Sequence, residues 1–534
     1  MSEAVVIGSG PNGLVAANVL AEHGWSVTVL EARPTPGGGV RSEELIEPGF
    51  VNDICSAFYP LAAASPTIQA LHLEDHGLRW LHSPTVLAHP KLDGTCPVID
   101  RDLDVTCAAL DRIQPGDGAA WRQLYGRWRS IEDPFLDTIL TPFPPVRPAL
   151  RIATSMSPRD LLRLTRFVLL PVRRMGEEEF ESDSARLLLA GAALHADFSP
   201  ESALSGMFGW LMCGLAQSFG FPVPEGGAGS FASALIRRLE SYGGRVVCDA
   251  PVRRIVVRGG RAVAVQLADG EEVPVGDALL ADVNAPMLYR DLVGAEHLPS
   301  DLMDDLERFQ WDNATVKVDW NLDGPIPWTA EAARGAGTVH VAEGVDALTL
   351  TASELARGLV PSHPFLLMGQ QSMTDPTRQP EGTETAWAYT HVPRRIKGDA
   401  GATPDSGRAI SAQWTDDDAE RIADRIEAEV EALAPGFRSR IRGRHILTPP
   451  RFEQENPNLD GSAINGGTAQ LHQQLVFRPV PGLGRPETPV KGLFLASGSA
   501  HPGGGVHGAA GSNAAKAALA AQRIRSVGRA LRRR

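Results

Sequence analysis

Apolar residues change spacing repeatedly along the chain, and each change marks an element. Ala4–Ile7 is an unbroken apolar run that reads as a strand. Leu14, Ala17, Val19 and Leu20 give one apolar side to a helix over about Pro11 to His23, and Ser26–Leu30 reads as a second strand. From about Thr106 to Phe219 the pattern is mostly helical, interrupted by the proline-rich LTPFPPVRP. Arg245–Cys248, Val252–Val257 and Arg261–Leu267 alternate as short strands around a Gly259–Gly260 turn, and Asp277–Ala281 is a buried-type strand. WTDDDAERIADRIEAEVEALAPGF predicts a helix. Thr415 is its cap, acids fill its first turn, and Ala419, Ile422, Ile426, Val430 and Leu433 share one face. GLFLAS near residue 495 reads as another strand, followed by a glycine cluster and an alanine-rich helix.

Composition narrows the class. With 534 residues the chain can bury a large core and form more than one domain. Its 43% hydrophobic and 22% charged content is that of a soluble globular protein. A net charge of −13 argues against a nucleic-acid partner, because neutralising phosphates needs basic surface. No apolar run approaches the roughly 18 residues that span a bilayer. The N-terminus enters AVVIG without a basic region or cleavage site, which predicts no secretory signal and a cytoplasmic location. Cys55, Cys96, Cys107, Cys213 and Cys248 include no C-x-x-C pair, so they predict incidental thiols in a reducing compartment. No metal is expected. The acidic run Glu177–Glu179 reads as a solvated face.

The first strand-to-helix turn carries the chemistry. Gly8, Ser9, Gly10, Pro11, Asn12 and Gly13 form a G-x-G-x-x-G pattern, whose glycines serve a tight turn, close approach to a pyrophosphate and close helix packing. Glu31 ends the second strand, where a carboxylate accepts bonds from ribose hydroxyls and repels a 2′-phosphate, which disfavours NADP. Together these predict a dinucleotide site. A second glycine loop, Gly37–Gly39, follows, then Arg41 and Ser42. An ordinary NAD enzyme has no need of that loop, whereas a cofactor with a bulky ring beyond its pyrophosphate can use it. Gly227, Gly229 and Ala232 imitate another fingerprint. The prolines of FGFPVPE before them make a poor parallel strand, so these glycines predict only the start of an amphipathic helix.

With Glu31, the glycine triplet and the following Gly49, Phe50 and Asp53, the chain resembles the phytoene desaturase-like flavoproteins of the glutathione-reductase and amine-oxidase superfamily. That resemblance implies FAD, with Glu31, Ala32, Gly38 and Gly39 among its contacts. The commoner pattern puts arginine directly after the glycine pair; here Gly39 and Val40 intervene before Arg41, the expected pyrophosphate ligand. The strand position matching Val252 would offer backbone groups to the adenine. GSAHPGGGVHGAAGSNAA resembles the group's terminal motif. It implies that the loop with Gly498, Gly505 and Val506 lies under the isoalloxazine ring, with a helix N-terminus stabilising charge on the reduced flavin. NLDGSAINGGTAQLHQQLVFRP is similar to the branch typified by pyridine nucleotide-disulphide oxidoreductase domain-containing protein 2, without the thiol pair that name suggests.

The resemblance implies an α/β fold: a discontinuous Rossmann-type FAD domain from residues 1–100, 225–293 and 456–534, and an inserted mixed α+β substrate domain over 294–455. Residues 101–224 would form a helical lid or substrate region. The activity implied is dehydrogenation, or desaturation, of a lipophilic, isoprenoid or carotenoid-like substrate by hydride transfer to flavin. An amine-oxidase-like flavoenzyme is the alternative enzyme, and a non-catalytic prenyl- or lipid-binding escort protein the alternative of another class. His501 and His507 flank the terminal loop as candidates for proton exchange. Trp311, Trp320, Trp328, Trp387 and Trp414 suit either a substrate cavity or a core. Arg147, Arg151, Arg159, Arg163, Arg166, Arg173 and Arg174, set among apolar residues, suit either peripheral membrane contact or a lid with a solvated face.

Overall fold

The structure is a computed structural model that describes residues 2–402 and 408–532. Its first sheet has five parallel strands in the order Leu493–Leu495, Ala278–Ala281, Glu3–Ile7, Ser26–Leu30, Arg245–Val247. Parallel strands need cover on both faces, and the side-chain alternation provides for it. Ala4 and Val6 join Val27, Val29, Leu280 and Phe494 beneath the helices Pro11–Glu22 and Ala509–Arg532. Val5 and Ile7 turn the other way, with Leu279 and Leu493, onto Ile255 and Val265 of a three-stranded antiparallel sheet. That smaller sheet holds the strands Val252–Arg258 and Arg261–Leu267, joined at Gly259 and Gly260. The helices Pro11–Glu22 and Ala509–Arg532 meet at Gly511, where a Cβ would lie 1.9 Å from the Asn12 carbonyl oxygen. Only glycine fits there.

The second sheet has seven strands in the order Ile441–Leu447, Ala314–Leu322, Glu384–Val392, Leu366–Gln370, Ala336–Val341, Thr85–Ala88, Val98–Ile99. Residues 85–99 thus join a sheet otherwise built from residues 314–447, a link the sequence pattern does not reveal. On one face Val316, Val318, Trp320, Met368 and Ala388 pack under the helix Asp416–Leu433. Thr415 caps that helix reciprocally with Asp418, and its five apolar positions named above are all buried. The opposite face presents Thr315, Lys317, Trp387 and Tyr389 to a cavity.

Helices Asp117–Leu140, Asp183–Ala193 and Ser205–Phe219 close that cavity from one side, around Trp121, Trp128 and Trp210. After the 141–145 break come two amphipathic helices, Val146–Ser155 and Pro158–Leu169. No helix among the described residues is long and apolar enough to cross a membrane.

Candidate functional site

One cavity of about 1010 Å³ runs from the carboxyl ends of the parallel strands to the exposed face of the seven-stranded sheet. A crevice at the carboxyl ends of parallel strands is where such sheets take ligands. Gly8, Ser9, Gly10, Pro11 and Asn12 line this end. Gly10, at the N-cap of the helix that begins at Pro11, has no side chain with which to cap it. Gly13 sits behind the wall: its N–H donates to Asp282 Oδ2 at 2.8 Å, and a Cβ on it would lie 2.2 Å from Gly8 O.

Glu31 and Ala32 line the same end, with Val252 close to them in the wall. Glu31 Oε2 accepts from Ser9 N at 2.9 Å and Ser9 Oγ at 2.5 Å, while Oε1 accepts from Arg33 N at 2.9 Å. Ser9 Oγ in turn accepts from Gly37 N at 3.0 Å, so one serine ties the acid to the second glycine loop. Gly38 and Gly39 of that loop line the cavity. Gly38 has φ +57°, and a Cβ there would lie 2.9 Å from Gly10 Cα, so the two loops lie in contact.

Arg41 does not reach the cavity. Its buried guanidinium donates to Gly38 O at 3.1 Å and Thr35 Oγ1 at 3.2 Å, and pairs with Glu43 and Glu455. It fastens the glycine loop from behind.

Gly498, Gly505 and Val506 line the cavity from the terminal loop, and Gly505 has φ +103°. His501 and His507 line it too, and burial lowers each to about 4, so both are neutral near pH 7. His507 Nδ1 accepts from Ala509 N at 3.0 Å, which puts its proton on Nε2, 3.2 Å from Gly503 O. Both its nitrogens are engaged, Nδ1 with the first amide of the last helix and Nε2 with a carbonyl of the loop before it. His501 donates from Nε2 to Thr141 O at 2.9 Å and keeps a bare Nδ1. Of the two histidines, only His501 retains a nitrogen for proton exchange.

Four lining residues had no signal that sequence reasoning used. Lys317 is fully buried; its Nζ donates to Asp53 O at 2.8 Å, pairs with Asp319 and lies 5.8 Å from the Trp387 ring centroid. A lysine inside ATVKVDW, at an alternating strand position, was the available clue. Burial lifts the Asp319 carboxyl to about 6, against the pull of Lys317. Asp282 is lifted to about 7 by burial, with its Gly13 hydrogen bond opposing. Arg478 and His195 complete the set. Asp53, part of the Gly49–Phe50–Asp53 segment, is a hub: it accepts from Ala228 N at the start of the helix Ala228–Ser241, from Ser42 and from Arg378.

Of the five tryptophans, only Trp387 lines the cavity. Trp320 and Trp328 are fully buried, donating to Glu427 and Gln370. Trp311 packs against Phe309 and Arg394, and Trp414 against the core under the 416–433 helix.

A family model described as flavin containing amine oxidoreductase matches residues 12–520. Pyridine nucleotide-disulfide oxidoreductase domain-containing protein 2 of Mus musculus is 28% identical, over 96% of this chain and 92% of that protein. The lycopene-forming phytoene desaturase of Pseudescherichia vulneris is 26% identical, over 97% and 99%. Among solved structures, putrescine oxidase bound to putrescine is similar with a TM-score of 0.57 at 17% identity, over 97% and 98%. An oxidoreductase from Methanosarcina mazei has a TM-score of 0.60 at 14% identity, over 97% and 99%.

Proposed function

The chain belongs to the flavin-containing amine oxidoreductase family and is an FAD-dependent oxidoreductase, and from that premise we propose that it dehydrogenates a lipophilic, isoprenoid-like substrate. The cavity fits FAD. It offers a helix N-terminus that begins at Pro11, a carboxylate at the second strand's end, two touching glycine loops, and buried polar atoms without protein partners, including Asn12 Oδ1, Asn465 Nδ2 and His501 Nδ1. Glu31 and Val252 would hold the adenosine half, Gly8–Asn12 and Gly38–Gly39 the diphosphate, and the Gly498–Val506 loop the ring. In this reading residues 1–100, 225–293 and 456–534 form the discontinuous Rossmann-type domain, except that the strands Thr85–Ala88 and Val98–Ile99 go with the substrate domain inserted over 294–455, and residues 101–224 form a helical lid.

Bound FAD supplies a hydride acceptor. The chain's own residues do the rest. Lys317 sets its Nζ, paired with Asp319, where the nucleotide end meets the second sheet, a donor for negative charge developing nearby. Phe58, Leu61, Phe208 and Met212 keep water from the reacting C–H bond. His501 Nδ1 accepts a proton where the substrate yields one.

The observation that carries the lipophilic reading is the distribution of charge. Glu31 and Asp282 are the only carboxylates lining the cavity among the described residues, and both sit at the nucleotide end. The remaining wall holds no acid to pair an ammonium, which favours an apolar substrate over an amine. Anaerobic titration of the oxidised holoprotein tests this: isoprenoid lipids are expected to bleach the flavin, while bleaching by amines alone would reverse the assignment.

We read helices 146–155 and 158–169 as a lid. Five of the seven arginines in this stretch, Arg151, Arg163, Arg166, Arg173 and Arg174, are paired with acids, which weakens the basic face. Leu150 and Leu162 point outward, and Leu169 is half-exposed yet lines the cavity, marking its mouth. Flotation with anionic vesicles is expected to show no salt-sensitive binding.

A further inference from the structure

The face of the seven-stranded sheet that floors the cavity can be read row by row. Strand register puts His340 opposite Leu367, Leu367 opposite Tyr389, and Tyr389 opposite Lys317. Three strand spacings of ~4.8 Å therefore set His340 about 14 Å from Lys317 across the floor. Thr338 lies two residues before His340 on the same strand face, ~6.6 Å away. The wall around this far end is apolar, built from Phe198, Phe208, Leu211, Met212, Phe221 and Leu367. Three polar groups stand in it without an account.

His195 lines the cavity, and its Nε2 lies 2.9 Å from Nε2 of the fully buried His340. Burial lowers His195 to about 3 and His340 well below its ordinary value, so both are neutral. Two neutral imidazoles in contact share one proton between them. His340 Nδ1 is packed against Gly191, where even a Cβ would come within 2.6 Å, and it has no partner. A buried N–H without an acceptor is costlier than a bare lone pair, so His340 carries its proton on Nε2 and donates to His195. His195 must then carry its proton on Nδ1, and its only side-chain hydrogen bond among the described residues is the one at Nε2. Thr338 is 3% exposed, lines the same cavity, and its Oγ1 is unpartnered. An N–H donor and a hydroxyl, both in the wall of this otherwise apolar end, are complementary to an oxygen atom.

We propose that His195 and Thr338 form a polar subsite that binds a single oxygen function, a hydroxyl or carbonyl, on the otherwise apolar substrate. This rests on the reading that the cavity takes a lipophilic substrate. The subsite fixes which carbon reaches Lys317: a molecule held by its oxygen presents the C–H bonds roughly 14–16 Å away, about three isoprene units along. It also sorts substrates, because a pure hydrocarbon leaves the His195 N–H and Thr338 hydroxyl buried and unpaired.

The test uses the FAD-loaded protein and three probes, n-decane, 1-decanol and 2-decanone, with binding followed by the spectrum of the bound flavin. Each dissociation constant is referenced to that probe's own water–alkane partition. The alcohol and ketone are expected to bind about tenfold more tightly than decane. His195→Phe and Thr338→Val should each bring that ratio close to one while leaving decane affinity intact, which also certifies a folded cavity. His195→Gln, which keeps an N–H donor, should restore most of the preference. Unchanged ratios in both variants overturn the subsite, as does a ratio of one in the wild type with decane still bound. If none of the probes binds, the lipophilic-cavity reading falls, and the subsite with it.

Discussion

Arg478 donates to the Gly498 carbonyl from two of its nitrogens, Nη2 at 2.7 Å and Nε at 3.1 Å. The same guanidinium reaches Thr468 O at 2.9 Å and Asn465 O at 2.8 Å. One buried cation thus binds two loops that both line the cavity. Burial lowers it to about 10, with Asp312 and Asp197 opposing, so it stays charged at neutral pH. Lysine has the charge without the planar fork and cannot meet these carbonyls together. Arg478→Lys is expected to fold but to lose FAD on gel filtration, with at least a tenfold weaker dissociation constant. Wild-type retention would show that the fork is dispensable.

Glu31 tests the adenosine end. The protein should purify yellow and release FAD, not FMN, on denaturation. Glu31→Ala should weaken FAD binding by about 1–3 kcal/mol, the loss of a charge-assisted hydrogen bond. Titration of apoprotein with FAD gives the number directly, and an unchanged affinity would remove Glu31 from the site.

Gly505 tests the ring end. With φ +103° and a Cβ position 2.8 Å from Leu61 Cδ1, valine there meets both backbone strain and a clash. Gly505→Val is expected to yield folded protein with lost flavin or a changed flavin spectrum. Gly259→Val, at a hairpin turn with open space around it, should leave the spectrum alone. A normal spectrum and normal reducibility in Gly505→Val would show that the loop only starts a helix.

Asp282 predicts a pH dependence. Its carboxyl, raised to about 7 by burial, lies against Gly10 and Gly13, where a diphosphate anion would bind. The bound anion raises it further, so proton and FAD assist one another. FAD affinity should therefore fall as pH rises above about 7, by at most tenfold per unit for one proton. Asp282→Asn should flatten the profile between pH 6 and 9, as read by FAD titration at each pH. A profile as steep in the variant would assign the dependence elsewhere.

The elements legible in the sequence are those whose cause is local. Pro11 starts the first helix, Thr415 caps the long one, and the Gly259–Gly260 hairpin is set by its own glycines. The dinucleotide end was legible for the same reason, since its glycines and Glu31 lie within one strand–helix–strand unit. Arg41 was misjudged because its partner Glu455 lies 414 residues away. Lys317 and Asp282 escaped notice similarly: their contacts with Asp53 and Gly13 span 264 and 269 residues. Nothing in a window of twenty residues encodes such meetings. The pairing of His195 with His340 arises only when the turn after the helix Asp183–Ala193 is laid on a strand 145 positions later.

The parallel sheet has a consequence for how the protein is made. Its central strand begins at residue 3, yet one outer strand is residues 493–495, and Phe494 must be threaded beside Leu280 before the sheet is whole. A ribosome adding about 5–20 residues per second needs tens of seconds to deliver that last strand. Through that interval the edge of Ala278–Ala281, apolar along its whole length, has no neighbour on one side. The nascent chain therefore holds an open, adhesive edge until residues 493–495 emerge, and the nucleotide pocket closes only then.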